Sequence, residues 1–448
     1  MQIGTVISVS ASFSVSVAAA PAQELFNPVD FPIYAPGLVS EAEASFQGMS
    51  ASPENLLGWN LQADLIPTDG AIQTDGALAS NREFKRAYPI PAGEVWVGFD
   101  QAPVADLAAG SARALLDAPD QNGDRNHRRT GMTVQAFTNV SSQNFGARFN
   151  NGYNGSIRHT QLYDPASVLA MPRKFVITFG QSPMACQTSS EGVDVLAGDG
   201  WRDMRALTWT TADNGAFDQV QHTLEASVIP LQTQSQNSYG VSPIHSFQTG
   251  LLSVYPDHAI VVIHCAVGGT KLLGDTAPWN PDGDRSQGGG VLYDGLISNV
   301  QAALAASPAG SEIEVVVGGH GQSDDGANVR TTYPPAKINL INRLRSDLGV
   351  PDLPFVMLGP DPTNSDWDNL ALALQDVAAA MTNVYYQAAP DNHSEDGTHL
   401  TNVGSRLAGL MLFLTYVSQH LQLAIDHILT DGNGYPITTA ENNFITVE

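Results

Sequence analysis

The segment Asp396-Gly-Thr-His399 places a carboxylate three positions before an imidazole. At that spacing the carboxylate can accept a hydrogen bond from Nδ1 and leave Nε2 free to take a proton from a hydroxyl, the arrangement that activates a serine nucleophile. A suitable serine stands far upstream in Gly180-Gln181-Ser182-Pro183-Met184, directly after an apolar run, where glycine lets the backbone turn sharply and exposes the hydroxyl. The segment lacks the second glycine of a G-x-S-x-G elbow, since Met184 stands there. Pro183 has no N–H, so the residue after the serine cannot donate to an oxyanion, and donors must come from elsewhere. Two other apolar runs end in glycine-rich polar segments. Val267-Gly268-Gly269-Thr270 offers a backbone N–H from Gly268 or Gly269, and Gly319-His320-Gly321-Gln322 offers side-chain donors in His320 and Gln322. Each such preorganised donor lowers an acyl-transfer barrier by roughly 3–4 kcal/mol. Gln181, beside the serine, is a further candidate for binding substrate or an oxyanion.

These residues need a scaffold that brings distant segments to one edge. From Met171 onward, β-branched apolar runs at Phe175–Thr178, Ala259–His264, Ile313–Val317, Phe355–Leu358 and Val384–Gln387 alternate with helical stretches at Leu292–Ala306 and Ile338–Leu348. That alternation predicts an α/β fold with a parallel sheet between helix layers. In such sheets the site lies beyond the carboxyl ends of the strands, where every candidate named above falls. Taken alone, Ser182 is a turn residue, His399 a helix-start residue and Asp396 a routine cap. Their order and company favour the chemical reading.

The blocks resemble those of SGNH hydrolases, and within them the sialate O-acetylesterase-like carbohydrate esterases. Gly180-Gln181-Ser182 resembles the family's GQSN, Gly268-Gly269-Thr270 followed by Pro278-Trp279 its GGT…W segment, and Asp396–His399 with Leu400-Thr-Asn-Val-Gly404 its terminal DxxH block. Leu292-Tyr-Asp-Gly resembles the helix start after the second block. The match runs in order over about 250 residues. It implies a flavodoxin-like three-layer domain in which Ser182 is the nucleophile, His399 the general base and Asp396 its orienter, with the Ser182 and Gly268 N–H groups in the oxyanion hole. The implied reaction removes acyl groups, O-acetyl above all, from a carbohydrate or other small ester and needs no cofactor. Two positions depart from the family: Pro183 replaces an asparagine, and His320-Gly321-Gln322 replaces Gln-Gly-Glu. The third donor then falls to a ring N–H of His320 or to Gln322.

At 448 residues the chain exceeds one ordinary core. Residues 1–60 read as an N-terminal strand and extended connector, 61–170 as a β-rich accessory domain with a sandwich-like pattern, 171–422 as the hydrolase domain and 423–448 as an appendage. Candidate strands in the accessory region include Glu94–Phe99 and Thr133–Phe137, and the segment from Gly155 resembles the closing strand of laminin-G-like sandwiches over about a dozen residues. Alternation of Ile7, Val9, Ala11, Phe13, Val15 and Val17 with serines marks a strand whose apolar face needs a partner, either a sister copy in a homo-oligomer or another protein. No cleavable signal peptide is evident. This layout fits a phage tail protein that modifies host surface polysaccharide. The alternative is a structural or receptor-binding virion protein whose hydrolase domain is weakened or inactive.

A net charge of −25 argues against nucleic acid as a partner. The longest strongly apolar run, Leu407–Val417, is too short to span a bilayer, so no membrane insertion is expected. Asp282-Gly-Asp284 and Asp120-Gln-Asn122-Gly-Asp124 fail the EF-hand pattern, and no metal is assigned. The glycines at 318, 319 and 321 fit neither phosphate-binding fingerprint. Cys186 and Cys265 both lie near motif blocks, and their redox state is left open.

Overall fold

The computed structural model describes stretches of residues 59–185, the segments 205–211 and 222–226, and all of 242–423 but 325, 327, 392 and 395. The strand expected near residue 7, Cys186, and the appendage beyond 423 lie outside the described residues. Beyond its short N-terminal strands, the chain builds one large sheet from β10 (Arg173–Gly180), β11 (Ala206–Thr211), β12 (His222–Ala226), β13 (Ala259–Ala266), β14 (Glu312–Gly319), β15 (Phe355–Leu358) and β16 (Val384–Gln387). Its order is β12-β11-β13-β10-β14-β15-β16. Six of these strands run parallel and β12 pairs antiparallel to β11 at one edge. From β10 the chain leaves towards β11, and from β14 it leaves in the opposite sense towards β15. The crevice between the ends of β10 and β14 is therefore the switch point at which open α/β sheets place ligands.

Helices cover both faces. On one side α3 (Val291–Ala305), α4 (Val329–Asp347) and α5 (Asp368–Ala380) pack Leu296, Tyr333, Ile341 and Leu374 against Phe175, Ile177, Phe179, Ile263 and Phe355. On the other, α2 (Ile244–Val254) and α6 (Asn402–Gln419) pack Phe247, Leu251, Phe413 and Tyr416 against Val176, Val262, Val317 and Val356. All eight residues of both β10 and β13 are buried, which is why those strands read as continuous apolar runs. This is the three-layer α/β architecture that the alternating pattern predicts. Upstream lie two smaller antiparallel sheets. One orders β1 (Trp59–Leu61), β4 (Arg82–Ala87), β8 (Asn144–Phe149) and β6 (Ala112–Leu116). The other orders β2 (Leu65–Thr68), β3 (Ala71–Thr74), β9 (Gly155–Tyr163), β5 (Val95–Pro103) and β7 (Gly131–Phe137).

Two features differ from the sequence reading. Helix α4 starts at Val329 rather than Ile338 and runs through Pro334 and Pro335. Proline in a helix interior removes a hydrogen bond and crowds the preceding turn, but here buried Val329 and Tyr333 anchor that first part to the core, and packing overrides local preference. Strands β11 and β12 and helix α2 were not foreseen, because polar residues interrupt their apolar pattern.

At the opposite end of the sheet from the crevice, buried Glu314 accepts hydrogen bonds from the Tyr255 hydroxyl, the Tyr416 hydroxyl at 2.5 Å and Lys174 Nζ at 2.9 Å. Burial works to raise its pKa, but these three donors outweigh it and hold the carboxylate below its ordinary range. The clamp ties α2, α6, β10 and β14 together.

Nearer the crevice, the Nδ1 of His264 on β13 lies 2.7 Å from the Thr178 hydroxyl on β10, with His245 of α2 beside it. Burial pushes His264 down to about 4. Burial, with a smaller contribution from His264, pushes His245 down to about 3. Both rings are thus neutral when folded but protonate near 6.5 when unfolded. Below pH 6.5 the unfolded chain binds more protons, so stability falls as pH falls, and the loss from His264 is complete near pH 4. Between pH 6.5 and 5, above the carboxylate range, each ring held neutral forfeits up to about 2 kcal/mol. The melting temperature should fall across that window, and His264→Gln should flatten the slope whatever it does to the absolute value.

Candidate active site

The candidate residues follow four of the parallel strands. Ser182 follows β10, Gly268 and Gly269 follow β13, His320 and Gln322 follow β14, and Asp396 and His399 lie in the loop after β16. The end of β10 is tied on both sides: Val267 N–H donates to the Gly180 carbonyl at 2.9 Å, and Gln181 N–H donates to the Gly319 carbonyl at 2.9 Å. Gly180 has φ +135°, and a Cβ built there would lie 2.1 Å from the Gly319 oxygen. Only glycine fits. Beyond it Gln181, Ser182, Pro183, Met184 and Ala185 form a tight turn closed by the Ala185 N–H on the Gln181 carbonyl at 3.0 Å.

Gln181 is almost fully buried and faces the protein. Its Nε2 donates to the Thr270 carbonyl at 2.6 Å and its Oε1 accepts from the Ser323 N–H at 3.3 Å. One side chain thereby joins the loops after β10, β13 and β14. Ser182 is 7% exposed at the crevice. Among the described residues, neither the Ser182 N–H nor the Gly268 N–H has an acceptor within the protein. Both donors are free for a ligand oxygen.

Asp396 and His399 meet directly. His399 Nδ1 lies 2.5 Å from Asp396 Oδ2, and Asp396 Oδ1 accepts from the backbone N–H groups of His399 at 2.7 Å and Thr398 at 2.9 Å. Partial burial opposes the charged form, but the His399 ring and the two N–H groups outweigh it and hold the Asp396 carboxyl below its ordinary range. No hydrogen bond joins His399 Nε2 to Ser182 among the described residues. Leu400, next to His399, belongs to the same buried cluster as Met184 and Ala185.

His320 sits beneath the strand ends. Its side chain has no exposed surface and lies among Phe179, Trp279 and Tyr333, with Nδ1 3.0 Å from the Tyr333 hydroxyl and 3.7 Å from Asp324 Oδ2. Tyr333 in turn donates to the His320 carbonyl at 2.9 Å. Burial first, then the nearby Lys337 cation, push the imidazole well below its ordinary range. Lys337 Nζ lies 4.3 Å from the Phe179 ring centre, and burial brings it down to about 7 against the pull of Asp324. Gln322 is partly exposed, and its Oε1 has no partner among the described residues. Sequence reasoning missed Tyr333 and Lys337. Lysine at 337 on the stripe shared with Tyr333, Leu340 and Ile341 was the readable sign of a buried cation. Cys265 is buried with its thiol pushed up to about 12, so it is no nucleophile.

The model of the sialic acid-specific acetylesterase family of carbohydrate esterases matches residues 172–418, more than half of the chain. The chain belongs to this family. It is a carboxylic-ester hydrolase of the carbohydrate acetylesterase class. Among solved structures, a protein of Arabidopsis thaliana is 22% identical, covering 55% of this chain and 99% of its own with a TM-score of 0.44. A carbohydrate acetylesterase from Xanthomonas citri is 13% identical over 78% of this chain and 73% of its own, with a TM-score of 0.41. A family two carbohydrate esterase from Cellvibrio japonicus is 12% identical over 81% and 95%, with a TM-score of 0.34. No curated protein matches the chain. Among the described residues, no helix of this esterase is long and apolar enough to cross a membrane, and no group of three or more His, Cys, Asp or Glu side chains could hold a metal ion.

Gly180→Ala tests the strand-end packing. The added methyl must push β10 from β14 at the point that carries the serine loop, so a loss of at least about 3 kcal/mol is expected by chemical denaturation.

Proposed function

We propose that this esterase removes O-acetyl groups from a carbohydrate through an acyl-enzyme on Ser182. The observation that carries the reading is the 2.5 Å contact between Asp396 and His399 Nδ1, which leaves Nε2 to act as the base, in a loop whose Leu400 shares a buried cluster with Met184 and Ala185 of the serine loop. The Ser182 hydroxyl attacks the acetyl carbonyl carbon as His399 Nε2 takes its proton. The free N–H groups of Ser182 and Gly268 stabilise the resulting oxyanion. As the tetrahedral intermediate collapses, the C–O bond to the sugar breaks and His399 returns the proton to the leaving hydroxyl. Water, deprotonated by the same ring, then attacks the acetyl-enzyme and releases acetate with Ser182 restored. Asp396 orients the imidazole and stabilises the imidazolium.

Of the two candidates for a third donor, Gln322 is better placed than His320. It is partly exposed next to the crevice, whereas the His320 side chain has no exposed surface and its ring is enclosed by aromatic side chains, with Tyr333 at one nitrogen. Gly269 lies beside Gly268 in the same loop, and its N–H, also without an acceptor among the described residues, is the alternative backbone donor. Gln181 positions the three loops.

Acetate release from acetylated model esters and acetylated oligosaccharides tests this reading. Ser182→Ala should abolish release, and Asp396→Asn should lower kcat by about 10⁴-fold, because an amide cannot hold the required tautomer or stabilise the imidazolium. Equal, negligible release from the intact protein and Ser182→Ala across a panel of esters would sink it.

A further inference from the structure

The turn that carries Asp396 and His399 is only partly buried, with side chains 48% and 30% exposed, yet the chemistry proposed for it needs a fixed geometry. Its base is held within the loop itself. Thr401 N–H donates to the His393 carbonyl at 2.7 Å, Ser394 pairs with Leu400, and the Thr401 hydroxyl caps α6 by accepting the Gly404 N–H at 2.9 Å. At its tip Gly397 adopts φ +77°, and a Cβ there would lie 2.5 Å from Asn364 Nδ2.

The tip is held from outside. The Gly397 carbonyl accepts two hydrogen bonds, from Asn364 Nδ2 at 2.8 Å and from Trp367 Nε1 at 2.7 Å. Both donors belong to the segment that follows β15 and opens α5. Asn364 is itself fixed, since its Oδ1 accepts the Asp366 N–H at 3.1 Å and its N–H donates to the Asp361 carbonyl at 3.2 Å. Asp361 is buried, and its Oδ1 accepts from Thr363 N–H at 2.9 Å and Thr363 Oγ1 at 2.7 Å. The Trp367 ring packs against the core beneath α5. A rigid anchor on the sheet thus grips the Gly397–Thr398 peptide, the middle of the three that separate the acid from the base.

We propose that Asn364 and Trp367 are positioning residues for the general base: by filling both lone pairs of the Gly397 carbonyl they hold the Asp396–His399 pair in register with Ser182. Neither touches the reacting atoms. The inference rests on the roles proposed above for Ser182, Asp396 and His399.

Trp367→Phe removes the N–H and keeps the packing of the ring, and Asn364→Ala removes the other donor. In the full-length chain, with 4-nitrophenyl acetate as probe, each should lower kcat about 10-fold and the pair about 100-fold, with KM within about twofold, the cost of misplacing a reactive group. The acid limb of the kcat/KM profile should also move with pH, which a loss of folded protein cannot produce. Unchanged kcat and profile in both variants, or a kcat that falls only in proportion to the folded fraction by circular dichroism, would overturn the proposal. Ser182→Ala separates the two failures. If it is inactive while the Asn364 and Trp367 variants are normal, the positioning role alone fails, and if it is fully active the catalytic reading fails with it.

Discussion

The closest constraint in the esterase sheet is the contact between Gly180 and the Gly319 carbonyl, where no side chain can be inserted. Parallel strands normally separate at their carboxyl ends as their chains leave for opposite faces. Here β10 and β14 stay locked for one residue more, through the Gln181 N–H on Gly319. That extra residue fixes the direction in which the chain departs and hence where Ser182 stands. Gln181 then extends the lock sideways by spending its buried amide on the loops after β13 and β14. A buried amide that satisfies both ends is rigid, because breaking either bond strands a polar group away from water. Precision at the crevice thus comes from backbone contact and one side chain.

Charge is managed differently at the two ends of the sheet. With a net charge of −25 the chain has few cations, and two of its four lysines, Lys174 and Lys337, are buried. At the end remote from the crevice Lys174 meets Glu312 and Glu314, and Tyr255 and Tyr416 complete the carboxylate's shell. Beneath the crevice, by contrast, Lys337 rests on the Phe179 ring, and Asp324 is occupied by the N–H groups of Leu272 and Leu273. Desolvation there is not fully offset, which brings Lys337 down and Asp324 up towards their neutral forms.

The fold was legible because each central strand is buried on both faces and therefore uninterrupted in hydrophobicity, as at Phe175–Thr178 and Ala259–His264. The two outlying strands Ala206–Thr211 and His222–Ala226 were not, because polar residues interrupt their apolar pattern. The Asp396–His399 pairing was readable from spacing, since three residues suffice to close the turn. Tertiary partners carried no local signature. Asn364 and Trp367 reach across from another strand's loop to Gly397, and nothing in their own neighbourhood announces it. Helix α4 shows the same limit in reverse, as two prolines that argue locally for a break are overruled by Tyr333 and its contacts with His320.

The departure at His320-Gly321-Gln322 is intelligible in these terms. A family pattern with glutamine and glutamate would bring a carboxylate to this strand end, whereas Gln322 brings none, and Asp324 is the carboxylate that acts on Lys337. His320 converts the vacated polar position into packing: its ring spans Phe179, Trp279 and Tyr333, and Trp279 passes the connection on through its Nε1 to the Thr270 hydroxyl at 2.9 Å. Thr270 also receives Gln181 through its carbonyl. The stack under β14 and the amide bridge over it therefore converge on the same residue of the loop after β13. The frame around the Ser182 and Gly268 N–H groups is thus held from below by aromatic contact and from above by one buried amide.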